Sequence, residues 1–267
     1  MTVRRLAAGL LVPLTLLAVA IPSAGAVGGS GPSSQLRLCA KDQRHFVVGA
    51  EHVHYVIRND FFSLVSDREC IVNKKLGPNF AVTKSQARSH TPEAAAFPEI
   101  FRGCVWGIPC AHTGFPVRAA NSGKVSVTWL TDTHQASGFW NTALDIWFFR
   151  HDYPSGQAGG AELMIWDKTT FARPPASRRI VSIDGTRWWF QHWRPCNAKF
   201  GKCWNYIQFR RVQGTDGYRG LGLGPFLQMA IRMHLISPRW YMESVAAGFE
   251  IWRAGAGLRT NYFRVQL

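Results

Sequence analysis

Short runs rich in Val, Ile, Phe, Tyr and Trp, each cut off by Gly, Pro, Asn or Asp, recur along this chain, and runs of that kind fold as strands. The clearest cover residues 54–58, 124–130, 144–149, 162–166, 187–192, 206–210 and 247–252. One stretch breaks the pattern. After Gly224-Pro225, residues 226–236 repeat Phe226, Ala230, Met233 and Leu227, Ile231, Leu235 at helical spacing. Many strands and one late helix predict an all-β sandwich with a helix packed on its outside. A chain of 267 residues with no internal repeat is ample for one such domain.

The N-terminus has the layout of a secretory signal. Arg4 and Arg5 precede an apolar run over residues 6–21, and Ala24-Gly25-Ala26 supplies a small-x-small site, so cleavage is expected after Ala26. The run is shorter than the ~20 residues a spanning helix needs. Residues 27–34 read as a short flexible linker and residues 35–267 as a single domain. After cleavage the protein is expected to be extracellular, free of the membrane and monomeric.

Six cysteines in an exported chain favour disulfides over a metal site. Six allow 15 pairings, so connectivity stays open. Local spacing favours Cys104–Cys110 and Cys196–Cys203 as loop clips, which leaves Cys39 with Cys70. No cofactor and no metal are expected. His52 and His54 share a strand face but lack a third ligand, and Gly220-Leu221-Gly222-Leu223-Gly224 fits a loop before the helix better than a nucleotide site.

Lys and Arg number 31 against 16 Asp and Glu; without Arg4 and Arg5 the balance is 29 − 16 = +13. Arg173, Arg178, Arg179, Arg187, Arg194, Lys199, Lys202, Arg210 and Arg211 crowd one stretch among Trp188, Trp189, Trp193 and Trp204. Such a stretch can bind single-stranded nucleic acid, but an exported chain has little access to it, and no nucleic-acid partner is expected. A basic stretch flanking a cleft for an anionic glycan is the sharper hypothesis.

Acids are scarce, and three sit in apolar strands. In a strand, residues i and i+2 share a face. Asp145 therefore projects with Trp147, Glu162 with Met164 and Trp166, and Glu250 with Trp252, each opposite an apolar face. Glycoside hydrolysis needs this chemistry: a protonated carboxyl for the leaving oxygen, an ionised partner, and flat indoles for sugar faces.

At these residues the sequence resembles glycoside hydrolase family 12, secreted endoglucanases and xyloglucanases with a jelly-roll fold of two antiparallel sheets and one packed helix. The nucleophile motif resembles Glu162-Leu163-Met164-Ile165-Trp166, and the acid/base motif Gly248-Phe249-Glu250-Ile251-Trp252 with Gly255-Ala256-Gly257-Leu258 after it. Asp145-Ile146-Trp147, Ser237-Pro238-Arg239-Trp240-Tyr241 and Tyr55-Val56-Ile57-Arg58-Asn59 follow the family order, as does the loop from Arg102-Gly103-Cys104-Val105-Trp106-Gly107 to Cys110. The match runs from about Cys39 to the C-terminus.

The resemblance implies a retaining hydrolase of β-1,4-linked glucan (cellulose, mixed-linkage glucan or xyloglucan). Glu162 would be its nucleophile and Glu250 its acid/base, with Asp145 hydrogen-bonded to Glu162. Trp147, Trp166 and Trp252 would shape the cleft, and Met164, Asn59, Phe62 and Trp106 would also meet substrate. Cys104–Cys110 would be the family's small loop bridge and Cys39–Cys70 its long-range one. The chain departs from the family at Phe62, where a Trp platform is usual, at Val105 in place of His, and at Ile251 in place of Pro. Residues 194–204, with Cys196 and Cys203, form an insertion. The alternative class is a jelly roll that grips polysaccharide, or an anionic cell-wall glycan, without this activity.

Overall fold

The computed structural model describes residues 35–62, 69–74, 77–104, 107–108, 111–152, 159–173, 175–177, 179–197 and 201–267. The expected signal peptide and linker lie outside them.

Two large sheets face each other. The smaller has the order Gln35–Leu38, Cys70–Lys74, Phe80–Lys84, Arg259–Gln266, Ser126–Asp132, Gly217–Gly222. The larger runs Arg179–Ile183, Thr186–Trp193, Asn205–Arg211, Ala161–Thr169, Gly138–Phe149, Ser244–Ala254, Glu99–Gly103, His54–Asn59, Gln43–Val48, with short strands added at its margin. Neighbours are mostly distant in sequence, as in a jelly roll. Two details differ from the expected plan. Ala161–Thr169 pairs with Asn205–Arg211 in parallel, so the larger sheet is mixed, and a separate ribbon joins Cys196–Asn197 to Lys202–Cys203.

Alternation decides which residues meet between the sheets. Leu144, Ile146 and Phe148 bury one face of the middle strand, and Leu163, Ile165, Ile207, Phe249 and Ile251 continue that face across its neighbours. Trp129 and Phe80 of the smaller sheet meet Phe249 of the larger, with ring centroids 5.9 and 5.6 Å away. The Trp129 indole N–H donates to Thr260 Oγ1 at 3.1 Å, so this large ring is buried without an unpaired donor. Gly248 lies where an added Cβ would sit 2.6 Å from the Pro98 carbonyl and 2.9 Å from the Phe97 ring, which only a glycine tolerates.

The helix spans Gly224–Arg232, shorter than the expected 226–236. Pro225 suits a first turn, where its missing N–H costs nothing. The helix stops because His234 takes a left-handed φ of 59° and the Leu235 amide turns back to the Ala230 carbonyl. It packs on the core side of the larger sheet, not on its outside: Phe226 meets Trp188 and Phe209 edge-on, each at 5.1 Å.

Cys39–Cys70 and Cys196–Cys203 are disulfides, as spacing suggested. Cys104 is also disulfide-bonded; Cys110, its expected partner, lies outside the described residues. Beside the first bridge, Glu69 is fully buried. Ser85 donates to its Oε2 at 3.0 Å, while Oε1 has no partner among the described residues. Burial pushes this carboxyl up to about 8, against about 4.3 in an unfolded chain. The folded state holds the proton more tightly, so the group's contribution to stability is full below about pH 4.3 and is lost as pH rises through about 8. Glu69→Gln should therefore melt together with the wild type near pH 4.5 and several degrees above it at pH 8.5, on the order of a few kcal/mol at most. A difference in melting temperature that does not widen with pH would contradict this.

Candidate active site

Gly138–Phe149 is paired along both edges, antiparallel to Ala161–Thr169 on one side and to Ser244–Ala254 on the other. Trp147 lies opposite Glu162, Asp145 opposite Met164 and Ala246, and Asn141 opposite Glu250. Directly opposed residues share a sheet face. The three acids thus project from the face that turns away from the core. Register shifts at Thr142/Ala143 and at Phe139/Trp140 interrupt both ladders, and bulges of this kind bend and twist a strand. Here they lie beside a cleft of about 650 Å³ lined by Asp145, Trp147, Glu162, Met164 and Glu250, with Phe62, Phe97, Arg58, Asp60, Glu99 and Asn197 among its other walls.

Each acid has its own donor. Trp147 Nε1 donates to Asp145 Oδ2 at 2.9 Å, Trp204 Nε1 to Glu162 Oε2 at 2.7 Å, and Asn141 Nδ2 to Glu250 Oε2 at 2.5 Å. The expected Asp145–Glu162 hydrogen bond is not made. Asp145 Oδ1 has no partner among the described residues, because the two acids are diagonal neighbours and each turns an oxygen to an indole instead.

Burial dominates the electrostatics. It pushes Glu250 up to about 7 against the opposing pull of Asn141. Glu162 is held well above the usual carboxylate range by burial and then by Asp145, and Asp145 by burial and then by Glu99. Burial raises all three, and for Asp145 and Glu162 neighbouring carboxylates add to it, so the protonated forms are favoured.

The sequence-expected residues separate into groups. Trp147, Met164 and Phe62 line the carboxylate cleft, and Phe62 is 45% exposed there. Trp166 and Trp252 share the sheet face but belong to an aromatic cluster: Trp166 stacks on Phe171 at 6.3 Å, and Trp252 meets Phe171 edge-on at 4.9 Å. Asn59 does not reach the cleft. It is fully buried, and its amide donates to the carbonyls of Glu69 and Ala40. Strand alternation is the reason: Arg58, Asp60 and Phe62 are the cleft-lining positions of that stretch, and Asn59 falls on the other face. Trp106 lies outside the described residues.

The structure adds residues that motif reading missed. Arg58 is buried between Glu99 (Nε to Oε1, 2.7 Å) and Asp60 (2.8 Å), which makes a desolvated ion triad at the cleft wall. Arg58 and Glu99 are cross-strand partners, a pairing that a single sequence does not reveal. Tyr206 stands opposite Glu162 in the parallel ladder, and the exposed ring of Trp193 lies over it at 4.0 Å. The basic stretch divides: Lys202 pairs with Asn197, which lines this cleft, while Arg178 and Lys199 lie outside the described residues and others stand elsewhere. Arg187 and Arg211 border a separate cavity of about 290 Å³, Arg211 pairs with Asp167 at 2.6 Å, and Arg210 donates to the carbonyls of Phe171 and Arg173.

No family model matches the chain. Similarity to individual proteins is nevertheless extensive. Endoglucanase S of Pectobacterium parmentieri is 27% identical over 184 residues, which covers 67% of this chain and 68% of that protein. The crystal structure of a metagenome-derived family 12 endoglucanase superposes with a TM-score of 0.77 and 30% identity, covering 88% of this chain and 99% of that one. The cel12A endoglucanase of Rhodothermus marinus gives a TM-score of 0.75 and 32% identity, with 86% and 98% covered. With fold and sequence matched at this level over most of its length, the chain belongs to glycoside hydrolase family 12.

Proposed function

We propose that this protein is a secreted, retaining hydrolase of β-1,4-linked glucan-type polysaccharide: cellulose, mixed-linkage glucan or xyloglucan. The observation that carries the reading is the placement of Glu162 and Glu250 on opposite sides of one strand and in one cleft, with Asp145 between their strands. In the first step a Glu162 carboxylate oxygen attacks the anomeric carbon. Glu250 gives its proton to the departing glycosidic oxygen, and the sugar is left esterified to Glu162. In the second step Glu250, now ionised, takes a proton from water, whose oxygen attacks the same carbon and frees Glu162. Asp145 adds negative charge beside Glu162, and Trp147 and Phe62 offer apolar surface to the sugar rings.

A purely binding jelly roll is the weaker reading. Holding three carboxyls against their desolvation is costly, and a sugar-binding groove has no use for protonated carboxyls. An anionic glycan is less well served: the buried cation of the cleft wall, Arg58, is already bound to Glu99 and Asp60. The disulfides and the family fit an extracellular protein.

Three outcomes are expected. Glu162→Gln and Glu250→Gln should each lower turnover on mixed-linkage glucan by about a thousandfold or more without lowering the melting temperature; near-normal turnover by the purified Glu162 variant would sink the assignment. The first sugar released should be the β-anomer by proton NMR, and an α-anomer appearing first contradicts double displacement. Because Glu250 must carry its proton, kcat/KM should fall as pH rises through about 7. A profile flat to pH 9 contradicts that role.

A further inference from the structure

The insertion at 194–204 reaches the proposed nucleophile. Cys196–Asn197 pairs with Lys202–Cys203 as a two-stranded ribbon, with Cys196 opposite Cys203 and bridged to it. The ribbon is closed once more at its base, where the Trp204 amide donates to the Pro195 carbonyl at 3.1 Å. Trp204 follows the second cysteine directly, so its backbone is fixed by the bridge on one side. On the other side the Asn205 amide is bonded to the Gly160 carbonyl at 3.0 Å. From that position its indole ring lies 5.7 Å from Trp147, and its N–H lies 2.7 Å from Glu162 Oε2. The two packed indoles thus serve two acids, Trp147 bonding Asp145 and Trp204 bonding Glu162.

We propose that Trp204, set in place by the Cys196–Cys203 ribbon, is a positioning residue that fixes the Glu162 carboxylate for attack through its indole N–H. The inference rests on the reading of Glu162 as nucleophile. A hydrogen bond given to a carboxylate favours its ionised form. The charged and titratable groups facing Glu162 act in the other direction: Asp145 from the neighbouring strand and Glu250 from the strand beyond it repel its charge, and Tyr206 stands opposite it without donating to it. Among the described residues the Trp204 N–H is the one hydrogen-bond donor to the Glu162 side chain. Its removal therefore makes Glu162 harder to ionise, and the acid limb of the pH profile, which reports that ionisation in the free enzyme, moves to higher pH.

Trp204→Phe keeps an aromatic ring against Trp147 and removes only the donor. Its kcat/KM on soluble mixed-linkage glucan, measured from pH 4 to pH 9, should show the acid limb raised by about one pH unit, which below the limb is about a tenfold loss. The loss should appear in kcat, with KM within about twofold. Cys196→Ser/Cys203→Ser, which frees the ribbon and leaves the indole intact, should move the limb in the same direction by a smaller amount; this double variant decides the question if Trp204→Phe does not fold. A wild-type acid limb in both variants overturns the proposal. So does a loss equal at every pH that follows a drop in melting temperature, because that marks a packing role. Absence of glycan hydrolysis in the wild type is a different result and overturns the functional reading itself.

Discussion

The structure depends on the strand Gly138–Phe149 being paired on both edges while its two faces do opposite things. Leu144, Ile146 and Phe148 are packed into the inter-sheet core, and Asp145 and Trp147 stand between them in sequence on the cleft side. A slip of one residue would drive Asp145 into the core and expose the aliphatic face. Burial of those three side chains, each worth about 1.5–3 kcal/mol, therefore fixes the register. The register in turn fixes where Glu162 and Glu250 stand on the neighbouring strands. Core packing and site geometry are set by one alternation.

The same arrangement creates the electrostatics of the site. Carboxyls rising from a sheet whose reverse is hydrocarbon, and walled by Trp147, Met164 and Phe97, lose much of their hydration. Their pKa values rise for that reason before any neighbour is considered. The surrounding donors then distribute the burden unequally: an indole for Asp145, an indole for Glu162 and a side-chain amide for Glu250. Arg58, bound to Glu99 and Asp60, contributes a fixed positive charge at the wall and offsets two further buried acids. The result is a cleft in which burial favours protonated carboxyls, the condition the acid of the proposed acid–base pair requires.

Much of this was legible in the sequence. The period of two placed Asp145, Glu162 and Glu250 beside tryptophans on apolar strands, and the strand cores fell where the runs of Val, Ile and Phe lie. What was missed had physical causes. Asn59 was assigned by motif, although alternation places it on the face opposite Arg58, Asp60 and Phe62; applying the period there would have found the right residues. The Arg58–Glu99 pair and the approach of Trp204 to Glu162 join positions 41 and 42 residues apart, and pairing across a sheet of mixed direction is not written in any local pattern. The parallel step between Ala161–Thr169 and Asn205–Arg211 was hidden for the same reason. The helix end was misplaced because apolar spacing continued through Met233 and Leu235, while the left-handed His234 between them stopped the hydrogen-bond ladder.

The central claim is that Glu162 is the atom-for-atom partner of the sugar, with Glu250 serving the proton. Its most direct measurement is capture of the covalent intermediate with an activated 2-deoxy-2-fluoro-β-cellobioside, read by mass spectrometry of the intact protein and its peptides. The account predicts one added glycosyl unit per chain, located on the peptide that contains Glu162 and absent from Glu162→Gln. Attachment at Glu250, or hydrolysis of glucan with no adduct formed at any reagent concentration, would contradict it.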